Sequence, residues 1–598
     1  MWEILNFIRR NKKIFIIVSI FRSIKKNGIK KTLSVIVGGL RQKKVHLQFY
    51  RGLLNNEKKY QINMIFYKKI KISIITSINN PSTQYLIDMI DSVMEQTYAN
   101  WELCLVDGSD ENNSLVGKIC SEYAQKNNRI KYKKCESKSV SERLNEAINM
   151  SSGDYIGHLH QSDLIHPSCL YEIMKAICNE DADFIYTDEA YFSEKYYVSL
   201  RHHKPNYAVD TLCSHNYISH FTAFSRKFIN LAGVFRSEYD GSQDYDLILR
   251  YTEKASKIYH ISKLLYFHRN DKKPIASDVK KKMENISVAE NVICNYLKTH
   301  EKNARVEGKI ELPGFYRVIY ELKEKPLVSI IIPNKDNSSM LRSCLSSLQK
   351  TTYQNYEIII VENNSKEDAT FVLYEELRKF KNIRIIEWKE QGFNFSEICN
   401  YGVKYAQGQQ LVFLNNDVLI ITPNWIEEML MYSQREDVGA VGAKLYFING
   451  SIQHAGMILG MGGIAGHIYH GAPHETIGYM GRLQIVQNMS IVTAACMMIK
   501  RKVFEEVGQL APEFPSSFND TDLCLKLRRA GYLVVWTPYT EAYHLESRSR
   551  GYNTNRKKRQ QLIRDTALFK ERWKKELAAG DTYYNKNFSL EKFDYSYR

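Results

Sequence analysis

The chain of 598 residues is too long for one hydrophobic core, so at least two domains are expected. Apolar residues make up 44% of it and prolines number only 12, which excludes a disordered or collagen-like protein. The 83 basic and 66 acidic side chains leave a net charge of +17, which favours an anionic partner such as a nucleic acid, a membrane surface or a phosphorylated small molecule.

The eleven cysteines are scattered along the chain, and no two of them stand in a C-x-x-C spacing. This pattern argues against a zinc site and against a disulfide framework, and we interpret the cysteines as the reduced thiols of a cytosolic protein. No run of apolar residues reaches the length of about 18 that a membrane-spanning helix needs.

The first predicted element is a basic, amphipathic segment over residues 1–70. Twelve lysine and arginine residues lie between Arg9 and Lys44, and apolar side chains such as Ile14 and Phe21 stand among them. Such a segment can lie on a membrane, with its apolar side chains in the headgroup boundary and its cations beside anionic lipids. We therefore predict contact with an anionic membrane surface. The alternatives are a solvated basic arm and a helix packed on the body of the protein.

An internal repeat begins after this segment. Two short runs rich in β-branched residues, Lys71 to Ile75 and Leu327 to Ile332, have the composition of buried parallel strands. Each run opens a similar stretch, because YANWE from Tyr98 recurs as YQNYE from Tyr353, at a shift of 255 residues. The chain therefore contains two copies of one unit.

The register of the repeat continues through a helix. Both copies have the spacing of a capping box, which marks a helix N-terminus. The pairs are Ser139 with Glu142 and Asn394 with Glu397. Further matches are Asn145 with Asn400, the glycines expected to end the helix, Gly153 and Gly408, and the next apolar strands, 155–159 and 410–414.

The alternation of strand, helix and strand predicts right-handed βαβ units on a mostly parallel sheet, which is an α/β fold. Ligands of such folds bind beyond the carboxyl ends of the strands. Functional residues are therefore expected directly after the predicted strand ends, which are Ile75, Val106 and Leu159 in the first copy and Ile332, Val361 and Leu414 in the second.

Polar clusters follow all three strand ends of the second copy. They are PNKD from Pro333, ENNS from Glu362 and NND from Asn415. Each cluster alone is typical of a turn or a helix cap, but three of them at successive strand ends indicate a site. Two more polar motifs follow, FNDTDLCL from Phe518 and YHLES from Tyr543.

Together these motifs resemble the family 2 glycosyltransferases of the GT-A fold, inverting enzymes that use nucleotide-diphosphate sugars. The chain is similar to bacterial two-domain members that build O-antigen and other surface polysaccharides, including rhamnose-containing ones. The resemblance runs from about residue 71 to 575. It rests on SIIIPNKD, VENNS, FLNND, QHAG, TAAC, FNDTDLCLKLR and YHLESRSRG in the second copy, and on IYTDE, SHNYISHF and GSQDYDLILR in the first.

The resemblance implies an α/β protein of two tandem GT-A domains with Rossmann-like, mostly parallel sheets, a basic N-terminal arm and a C-terminal helix. The expected boundaries are 1–70 for the arm, 71–270 for the first domain, 271–325 for a helical linker, 326–555 for the second, catalytic domain and 556–598 for the C-terminal helix and tail. The apolar stripe of that helix, Leu562, Leu568, Phe569 and Trp573, is expected to pack on the body.

The chemistry of the family requires a metal and a base in the second domain. Loss of a nucleoside diphosphate from a sugar builds negative charge that a divalent metal neutralises. The resemblance implies Mg²⁺ or Mn²⁺ held by Asp417 and His544, and Asp520 as the base for the acceptor hydroxyl. The structural alternatives are Asp520 or Asp522 as a helix N-cap and His544 as a core histidine.

The nucleotide sugar is expected to bind residues after the strand ends, namely Pro333, Glu362, Asn364 and Asn416. The family usually has aspartate where Glu362 stands. The glycine-rich segment 456–471 does not open a βαβ unit, which argues against a dinucleotide site. We predict that it forms a mobile loop over donor or acceptor, with contacts from His454, His467 and His470.

The first copy departs from the family pattern at the metal position. In register, Ser162 stands opposite Asp417, so the carboxylate is missing. Phe267 is expected opposite His544, with His268 as a neighbour that could replace it. Losing carboxylates around a dication should weaken metal binding severely.

The base position of the first copy is nevertheless kept. Asp244 stands opposite the catalytic aspartate, and Asp107 stands opposite Glu362, so both are candidate site residues. Three states stay open for this domain. It is an inactive scaffold or acceptor-binding domain, which we favour, a metal-independent transferase, or a transferase whose metal Asp163 supplies.

We predict a glycosyltransferase (EC 2.4) that moves a sugar from a nucleotide-diphosphate donor to a growing, lipid-linked surface polysaccharide at the inner face of the bacterial cell membrane. One alternative is a bifunctional enzyme with both domains active. An alternative of another class is a basic nucleic-acid-binding protein. Against it, no recognition motif occurs and no aromatic platform interleaves with the basic run, so no nucleic-acid partner is expected.

Overall fold

A computed structural model of the chain describes residues 45–110, 114–270, 279–300, 302–390, 392–545 and 556–598. Over these residues the chain forms two α/β units in tandem, each built on a mixed sheet of ten strands. The predicted membrane-surface segment falls mainly on residues 1–44, and the motif YHLESRSRG falls partly on residues 546–551. Those parts of both predictions lie outside the described residues.

The strands of the first unit are β1 (Val45–His46), β2 (Ile72–Ile78), β3 (Trp101–Asp107), β4 (Ile130–Lys134), β5 (Tyr155–His158), β6 (Leu164–Ile165), β7 (Phe184–Phe192), β8 (Tyr197–His202), β9 (Thr222–Ser225) and β10 (Ile258–Arg269). Its helices are α1 (Leu47–Arg51), α2 (Asn55–Asn63), α3 (Thr83–Met94), α4 (Ser114–Lys126), α5 (Val140–Met150), α6 (Cys169–Glu180), α7 (Val209–Ser214), α8 (Lys227–Ala232) and α9 (Gln243–Lys254). The strand order is β1-β8-β7-β9-β5-β2-β3-β4, and β10 pairs with β6 and β7.

A helix, α10 (Val279–Thr299), and a hairpin of β11 (Ala304–Lys309) and β12 (Leu312–Tyr320) connect the two units. The strands of the second unit are β13 (Val328–Asn334), β14 (Tyr356–Glu362), β15 (Ile383–Glu387), β16 (Gln410–Leu414), β17 (Val418–Ile420), β18 (Val438–Tyr446), β19 (Ile452–His454), β20 (Met457–Leu459), β21 (Ala465–His467), β22 (Gln487–Asn488), β23 (Cys496–Lys500) and β24 (Leu533–His544).

The helices of the second unit are α11 (Ser338–Leu348), α12 (Asp368–Leu377), α13 (Phe395–Tyr405), α14 (Trp425–Ser433), α15 (Arg501–Glu506) and α16 (Asn519–Arg529). Its strand order is β15-β14-β13-β16-β23-β18-β24-β17, with β19 on β18 and β22 on β24. The C-terminal helices α17 (Arg556–Arg572) and α18 (Lys574–Ala579) follow.

The two predicted apolar strands lie at the centres of the two sheets. Strand β13 pairs in parallel with β14 and β16, as β2 does with β3 and β5. Ile330, Ile331 and Ile332 are fully buried because apolar side chains cover both faces of a parallel strand. The carboxyl ends of the three strands therefore meet at one edge in each unit.

The predicted capping boxes open α5 and α13. The side chain of Ser139 accepts a hydrogen bond from the Glu142 backbone N–H at 3.2 Å. Asn394 accepts one from the Glu397 backbone N–H at the same distance. These contacts confirm the helix starts that the sequence predicts.

The two matching glycines do not end the helices, so that prediction is wrong. Helices α5 and α13 end at Met150 and Tyr405, before either glycine. A Cβ atom on Gly408 would lie 2.5 Å from the Leu327 carbonyl oxygen. The glycines are required because the chain passes directly against the first central strand of each sheet.

Residues 45–51 are part of the first unit and not of a free arm. Strand β1 pairs with β8, and Leu47 is buried among apolar residues of that unit. The predicted arm of residues 1–70 therefore ends earlier than expected, because its last part contributes an edge strand to the sheet.

The C-terminal helix packs on the second unit as predicted for most of its stripe. Phe569 and Trp573 are buried in the core of that unit. Leu562 is the exception, since it is 37% exposed. After α18 the chain crosses to the first unit, where Asn585 donates to a carboxylate oxygen of Asp188 at 3.0 Å.

The glycine-rich segment is packed and does not form an open loop. It contains the paired strands β20 and β21. The Gly462 backbone N–H donates to the Leu590 carbonyl at 2.9 Å, and a Cβ on Gly466 would meet the Phe593 ring at 2.7 Å. The prediction of a mobile loop is therefore wrong, because the C-terminal tail covers this segment.

Candidate active site

Asn334 links two predicted binding residues, Glu362 and Asn416, at the edge where β13, β14 and β16 end. Asn334, next to Pro333, pairs with Glu362 in the β13–β14 register. The Asn416 amide donates to Asn334 Oδ1 at 2.6 Å. The loops after the three strands are therefore tied into one surface.

Glu362 is buried and its carboxylate is held from two sides. It accepts hydrogen bonds from the Tyr374 hydroxyl at 2.5 Å and from the Ser365 hydroxyl at 2.7 Å. The Asn334 amide donates to the same Tyr374 oxygen at 2.8 Å. Burial raises the pKa of Tyr374, so it stays a neutral donor. The sequence analysis missed Tyr374, because nothing in the pattern of α12 shows that this side chain faces the strand ends.

Asn364 lies in a strained turn on the same surface. Its φ of 55° is in the left-handed region, which asparagine tolerates better than most residues. Its amide donates to the Glu390 carbonyl at 2.9 Å. The turn therefore fixes the loop after β14 against the loop after β15.

Asp417 and His544 come together across the β17–β24 ladder. The register pairs His544 with Val418, which follows Asp417, and His544 Nε2 lies 3.2 Å from Asp417 Oδ1. His544 Nδ1 lies 2.7 Å from Gln453 Oε1, and the Gln453 amide donates to the His544 carbonyl at 3.4 Å. The Gln453 oxygen accepts from Nδ1, so Nε2 is the nitrogen that faces the carboxylate.

This pair fits a divalent cation. A lone pair and a carboxylate oxygen at this separation repel each other unless a proton or a cation lies between them. No cluster of three His, Cys, Asp or Glu side chains suited to a metal occurs in the described ranges. Two protein ligands would leave the other positions of Mg²⁺ or Mn²⁺ to phosphate and water, as such ions usually require.

Asp520 is the second residue of α16 and not its N-cap, which is Phe518. Its carboxylate accepts hydrogen bonds from the backbone N–H groups of Thr521 at 2.7 Å and Ala494 at 3.3 Å. Burial raises the pKa of Asp520, and these hydrogen bonds offset that effect only in part. Asp522, the other N-cap candidate, accepts instead from the Trp573 indole at 2.9 Å and anchors the C-terminal helices.

The segment Thr493–Ala495 connects the aspartate to the carboxylate–histidine pair. Ala494 bonds to Asp520, and the Ala495 carbonyl accepts from the backbone N–H of Asn415 at 3.0 Å. The Asn415 amide nitrogen lies 3.3 Å from His544 Nε2. The predicted base Asp520 is therefore connected through Ala494, Ala495 and Asn415 to His544, which with Asp417 forms the predicted metal pair.

The histidines of the glycine-rich segment lie behind this pair. His454 Nδ1 lies 2.9 Å from His467 Nδ1, and His470 Nδ1 lies 3.2 Å from the Gln453 carbonyl. Burial lowers the pKa of His467 to about 4, so its imidazole is neutral. His470 thus contacts Gln453, the residue that orients His544 and that stands in the QHAG motif.

In the first unit Asp244 again is the second residue of a helix, α9. His158 Nδ1 lies 2.7 Å from Asp244 Oδ1. Burial raises the pKa of Asp244, but the His158 charge outweighs this effect and lowers the pKa to about 2. The sequence signal for this contact is a histidine where the second copy has Phe413.

Asp107 lies at the end of β3, as predicted, and its carboxylate is fully engaged. It accepts from the Ser109 backbone N–H at 2.8 Å, the Tyr132 hydroxyl at 3.1 Å and the Lys134 ammonium at 3.3 Å. Asp107 and Glu362 therefore occupy matching strand ends, each bonded to the serine of its own loop.

His268, and not Phe267, matches His544 in the structure. Phe267 pairs with Leu164 and is buried in a small apolar cluster. His268 Nδ1 lies 2.8 Å from Asp163 Oδ2, which also accepts from the Tyr266 hydroxyl at 2.6 Å. The sequence analysis therefore placed the counterpart of His544 one residue too early, at Phe267. The Asp163 carboxylate is committed to these protein donors.

The sequence matches the family described as Glycosyl transferase family 2 over residues 73–234 and 329–508, one match in each unit and together more than half of the chain. The chain belongs to glycosyltransferase family 2. Membership confirms the predicted enzyme class and the α/β fold of two tandem GT-A domains. None of the described helices of this glycosyltransferase has the length and apolar character needed to cross a bilayer.

Two curated relatives are similar over most of the chain. A Sinorhizobium fredii protein described as uncharacterized protein y4gI is 38% identical over 537 residues, which are 88% of this chain and 58% of that protein. The O-antigen biosynthesis protein RfbC of Myxococcus xanthus is 34% identical over 483 residues, which are 80% of this chain and 38% of that protein. The glycosyltransferase therefore spans less than two thirds of either relative.

Among solved structures, S. aureus TarS 1-349 in complex with UDP-GlcNAc is 17% identical, and the match covers 38% of this chain and 67% of that chain. The TM-score is 0.31. Such a distant likeness carries no argument about the donor of this glycosyltransferase.

Proposed function

We propose that the protein transfers a sugar from a nucleotide diphosphate to a growing surface polysaccharide, with inversion at the anomeric carbon. The observation that supports this proposal is the connection of Asp520 to the Asp417–His544 pair through Ala494, Ala495 and Asn415. A leaving-group site and a base close to it are two requirements of a single in-line displacement.

Asp417 and His544 would hold Mg²⁺ or Mn²⁺ on the side of the leaving group. When bound, the metal neutralises the charge that develops on the diphosphate. Gln453 keeps the His544 Nε2 lone pair directed towards Asp417. Asp520 accepts the proton of the acceptor hydroxyl, and its raised pKa makes it a stronger base than an exposed aspartate.

The nucleotide would bind over the strand ends. The rigid network around Glu362, Asn364 and Asn416 presents polar groups beside Pro333 at the edge where ligands of parallel sheets bind. Glu362 is already bonded to Ser365 of its own loop, so it shapes this surface as well as contacting the nucleoside.

In this proposal the catalytic domain spans residues 326–555, and the first domain, 71–270, is a scaffold or acceptor-binding domain. The contact of Asp244 with His158 supports this division, because a carboxylate with a pKa of about 2 is a poor base. The second candidate is a bifunctional enzyme, which the retained Asp244 and Asp107 favour.

The acceptor in this proposal is a lipid-linked glycan at the inner face of the cell membrane. The similarity to a protein named for O-antigen biosynthesis supports the polysaccharide. The basic residues between Arg9 and Lys44 support contact with anionic lipid.

A donor screen tests the proposal. The protein is incubated with Mn²⁺ and UDP-, GDP- and dTDP-sugars, dTDP-rhamnose included, and nucleoside diphosphate release and product linkage are measured. Asp417→Ala should abolish turnover, and Asp520→Asn should nearly abolish it. The matched control is Asp368→Asn, an exposed aspartate in the first turn of α12, which should turn over normally.

The outcomes of the screen distinguish the proposed function from its alternatives. Wild-type turnover that persists in both site variants would contradict the assigned roles. Loss of one linkage in Asp244→Asn alone would establish the bifunctional enzyme. Salt-sensitive binding to random DNA without turnover of any donor would favour the nucleic-acid-binding class.

A further inference from the structure

A cleft of about 610 Å³ lies where the second unit meets the hairpin that joins the two units. Its walls come from β11, β12, α14, the ends of β18 and β24, and the segment 474–484. This volume is within the range of small-molecule and cofactor sites, which often lie between domains. The proposed roles of Asp417, His544 and Asp520 do not involve this cleft.

Buried charged groups line the floor of the cleft. Lys444 is 4% exposed, and its ammonium has no hydrogen bond or ion pair with any described residue. Its nearest charge–ring contact is with Tyr446, at 5.4 Å from the ring centroid. Burial lowers the pKa of Lys444, and the carboxylate of Glu541 opposes that effect.

Glu428 and Arg317 add further polar atoms to the same floor. They form an ion pair at 2.5 Å through one atom of each. Glu428 Oε2 and Arg317 Nε are both buried without a hydrogen-bond partner in the described residues. Both atoms are shut off from solvent, so an occupant of the cleft meets instead the Lys444 ammonium and the Arg317 side chain, which is 25% exposed.

Ring faces form the side walls. The rings of Tyr446 and His474 lie 4.7 Å apart, and the Tyr446 hydroxyl donates to Glu541 Oε1 at 2.5 Å. Tyr539 packs against the Arg317 guanidinium at 4.0 Å from its ring centroid. A sugar ring matches this surface, because its C–H face packs on aromatic rings while its hydroxyls accept from Lys444 and donate to carboxylates.

The cleft lies next to the proposed reaction centre and beside the first unit. Glu541 precedes His544 by three residues in β24, a distance of about 10 Å along an extended strand. Tyr479 of the wall segment accepts from the His203 backbone N–H at 2.8 Å and donates to the Arg201 carbonyl at 2.7 Å. The wall segment 474–484 therefore contacts the first unit.

We propose that this cleft binds the hydroxyl-rich chain of the acceptor glycan behind its growing end. The inference rests on the proposed function, because the occupant is the acceptor of that reaction. Charges of both signs in the floor match neutral sugar hydroxyls better than a phosphate or a nucleic acid. The cleft holds the glycan, and Asp520 acts on the hydroxyl at its end.

Three variants test the cleft. Lys444→Met removes the buried ammonium, and His474→Ala removes a ring whose side chain is 57% exposed, so folding does not depend on it. Lys502→Met, an exposed lysine of α15, is the matched control. The acceptor is the lipid-linked glycan extracted from the producing cells. Acceptor KM, donor KM and donor hydrolysis without acceptor are measured.

We expect acceptor KM to rise at least tenfold in Lys444→Met and severalfold in His474→Ala, with donor KM and donor hydrolysis unchanged. Lys502→Met should match the wild type. An unchanged acceptor KM in both cleft variants, in an enzyme that transfers sugar normally, overturns the cleft proposal alone. A wild-type protein that neither hydrolyses nor transfers any donor overturns the proposed function.

A binding measurement that needs no turnover completes the test. Oligosaccharide released from the same extract by mild acid is added to the full chain, and saturation transfer from protein to sugar protons is recorded by NMR. We expect transfer with the wild type and Lys502→Met and its loss with Lys444→Met. Absence of transfer with the wild type contradicts the cleft proposal.

Discussion

Aspartates at the base position of the two units have opposite acidity. Burial raises the pKa of Asp520, which has only neutral hydrogen-bond donors around it. Burial acts in the same direction on Asp244, but the neighbouring His158 reverses it and brings the pKa to about 2. The first unit has His158 where the second unit has Phe413. Because of this one difference, Asp520 is suited to take a proton, whereas Asp244 is paired and weakly basic.

The raised pKa of Asp520 predicts a pH dependence. Protonated Asp520 cannot accept a proton, so kcat should fall as the pH decreases through its raised pKa. Asp520→Asn should lower kcat by about 10²- to 10⁴-fold and remove that limb of the profile, because general-base assistance is lost. The measurement is kcat against pH for both proteins, with donor affinity as the control that should not change. A mutant profile with the same acid limb would contradict this role.

Asp163 should stabilise the first unit in a pH-dependent way. Burial raises its pKa, but His268 outweighs burial and lowers the pKa from 3.8 to about 2. The stabilisation is therefore present above pH 4 and is lost as the pH falls towards 2. Asp163→Asn should cost about 2 kcal/mol at pH 7 and about half of that at pH 3. Denaturant unfolding at both pH values measures it, and an equal loss at both would contradict the sign.

Gln453 should control metal affinity through His544. Its Oε1 holds the Nδ1 proton of His544 and so directs the other nitrogen to Asp417. Gln453→Leu should weaken Mn²⁺ binding by about 10- to 100-fold, as loss of a partner of a metal-ligating histidine usually does. Electron paramagnetic resonance of Mn²⁺ titrations measures this without turnover. An unchanged Mn²⁺ affinity would contradict the role of His544 as a metal ligand.

Among the strands and helices, matching hydrogen bonds hold the central strands of both units together. Ser73 donates to Glu102 and Ser329 to Glu357, each at 2.7 Å, between the two central strands. In both units a glycine backbone N–H donates to that serine at 2.8 Å. The repeat in the sequence is thus a repeat of contacts between the strands that form the site.

Gly408→Ala should destabilise the second unit by about 1–3 kcal/mol, the usual cost of forcing an extra carbon into a packed position. The added Cβ would meet the Leu327 carbonyl oxygen and Ser329 backbone nitrogen, at 2.5 Å and 2.8 Å. Denaturant unfolding followed by tryptophan fluorescence measures the change. Unaltered stability would show that the chain moves away from the central strand at little cost.

At the scale of the whole molecule, buried polar contacts fix the two units to each other. Asp210 of the first unit forms a buried ion pair with Arg435 of the second. Asn488 donates to the other Asp210 oxygen at 2.7 Å. In the opposite direction, the C-terminal tail reaches Asp188 through Asn585. The cleft beside the hairpin depends on this fixed arrangement.

Asp210→Ala should uncouple the two units. Breaking a buried ion pair leaves an uncompensated charge and costs about 3–5 kcal/mol, less where a second partner remains, as Asp437 does for Arg435. We expect the thermal transition to shift down and to separate into two components in differential scanning calorimetry. A single transition at the wild-type midpoint would show that other contacts hold the units together.

The repeat, the fold class, the helix starts and the residues at the strand ends could all be predicted from the sequence. These follow from local patterns: β-branched runs predict the central strands, and the capping boxes place α5 and α13. Asp417, His544 and Asp520 could be named because each stands in a motif of its own. Their connection through Asn415 and the segment Thr493–Ala495 depends on the β16–β23 and β17–β24 pairings.

The partners of these residues, in contrast, depend on long-range packing. Three such contacts are those of His158 with Asp244, Gln453 with His544 and Tyr374 with Glu362. The spacing of two residues in the sequence does not give the distance between their side chains. The lack of information on long-range contacts also explains the wrong prediction of a mobile loop. The segment 456–471 was predicted as a loop from its glycines, but long-range packing against the C-terminal tail determines the conformation of such residues.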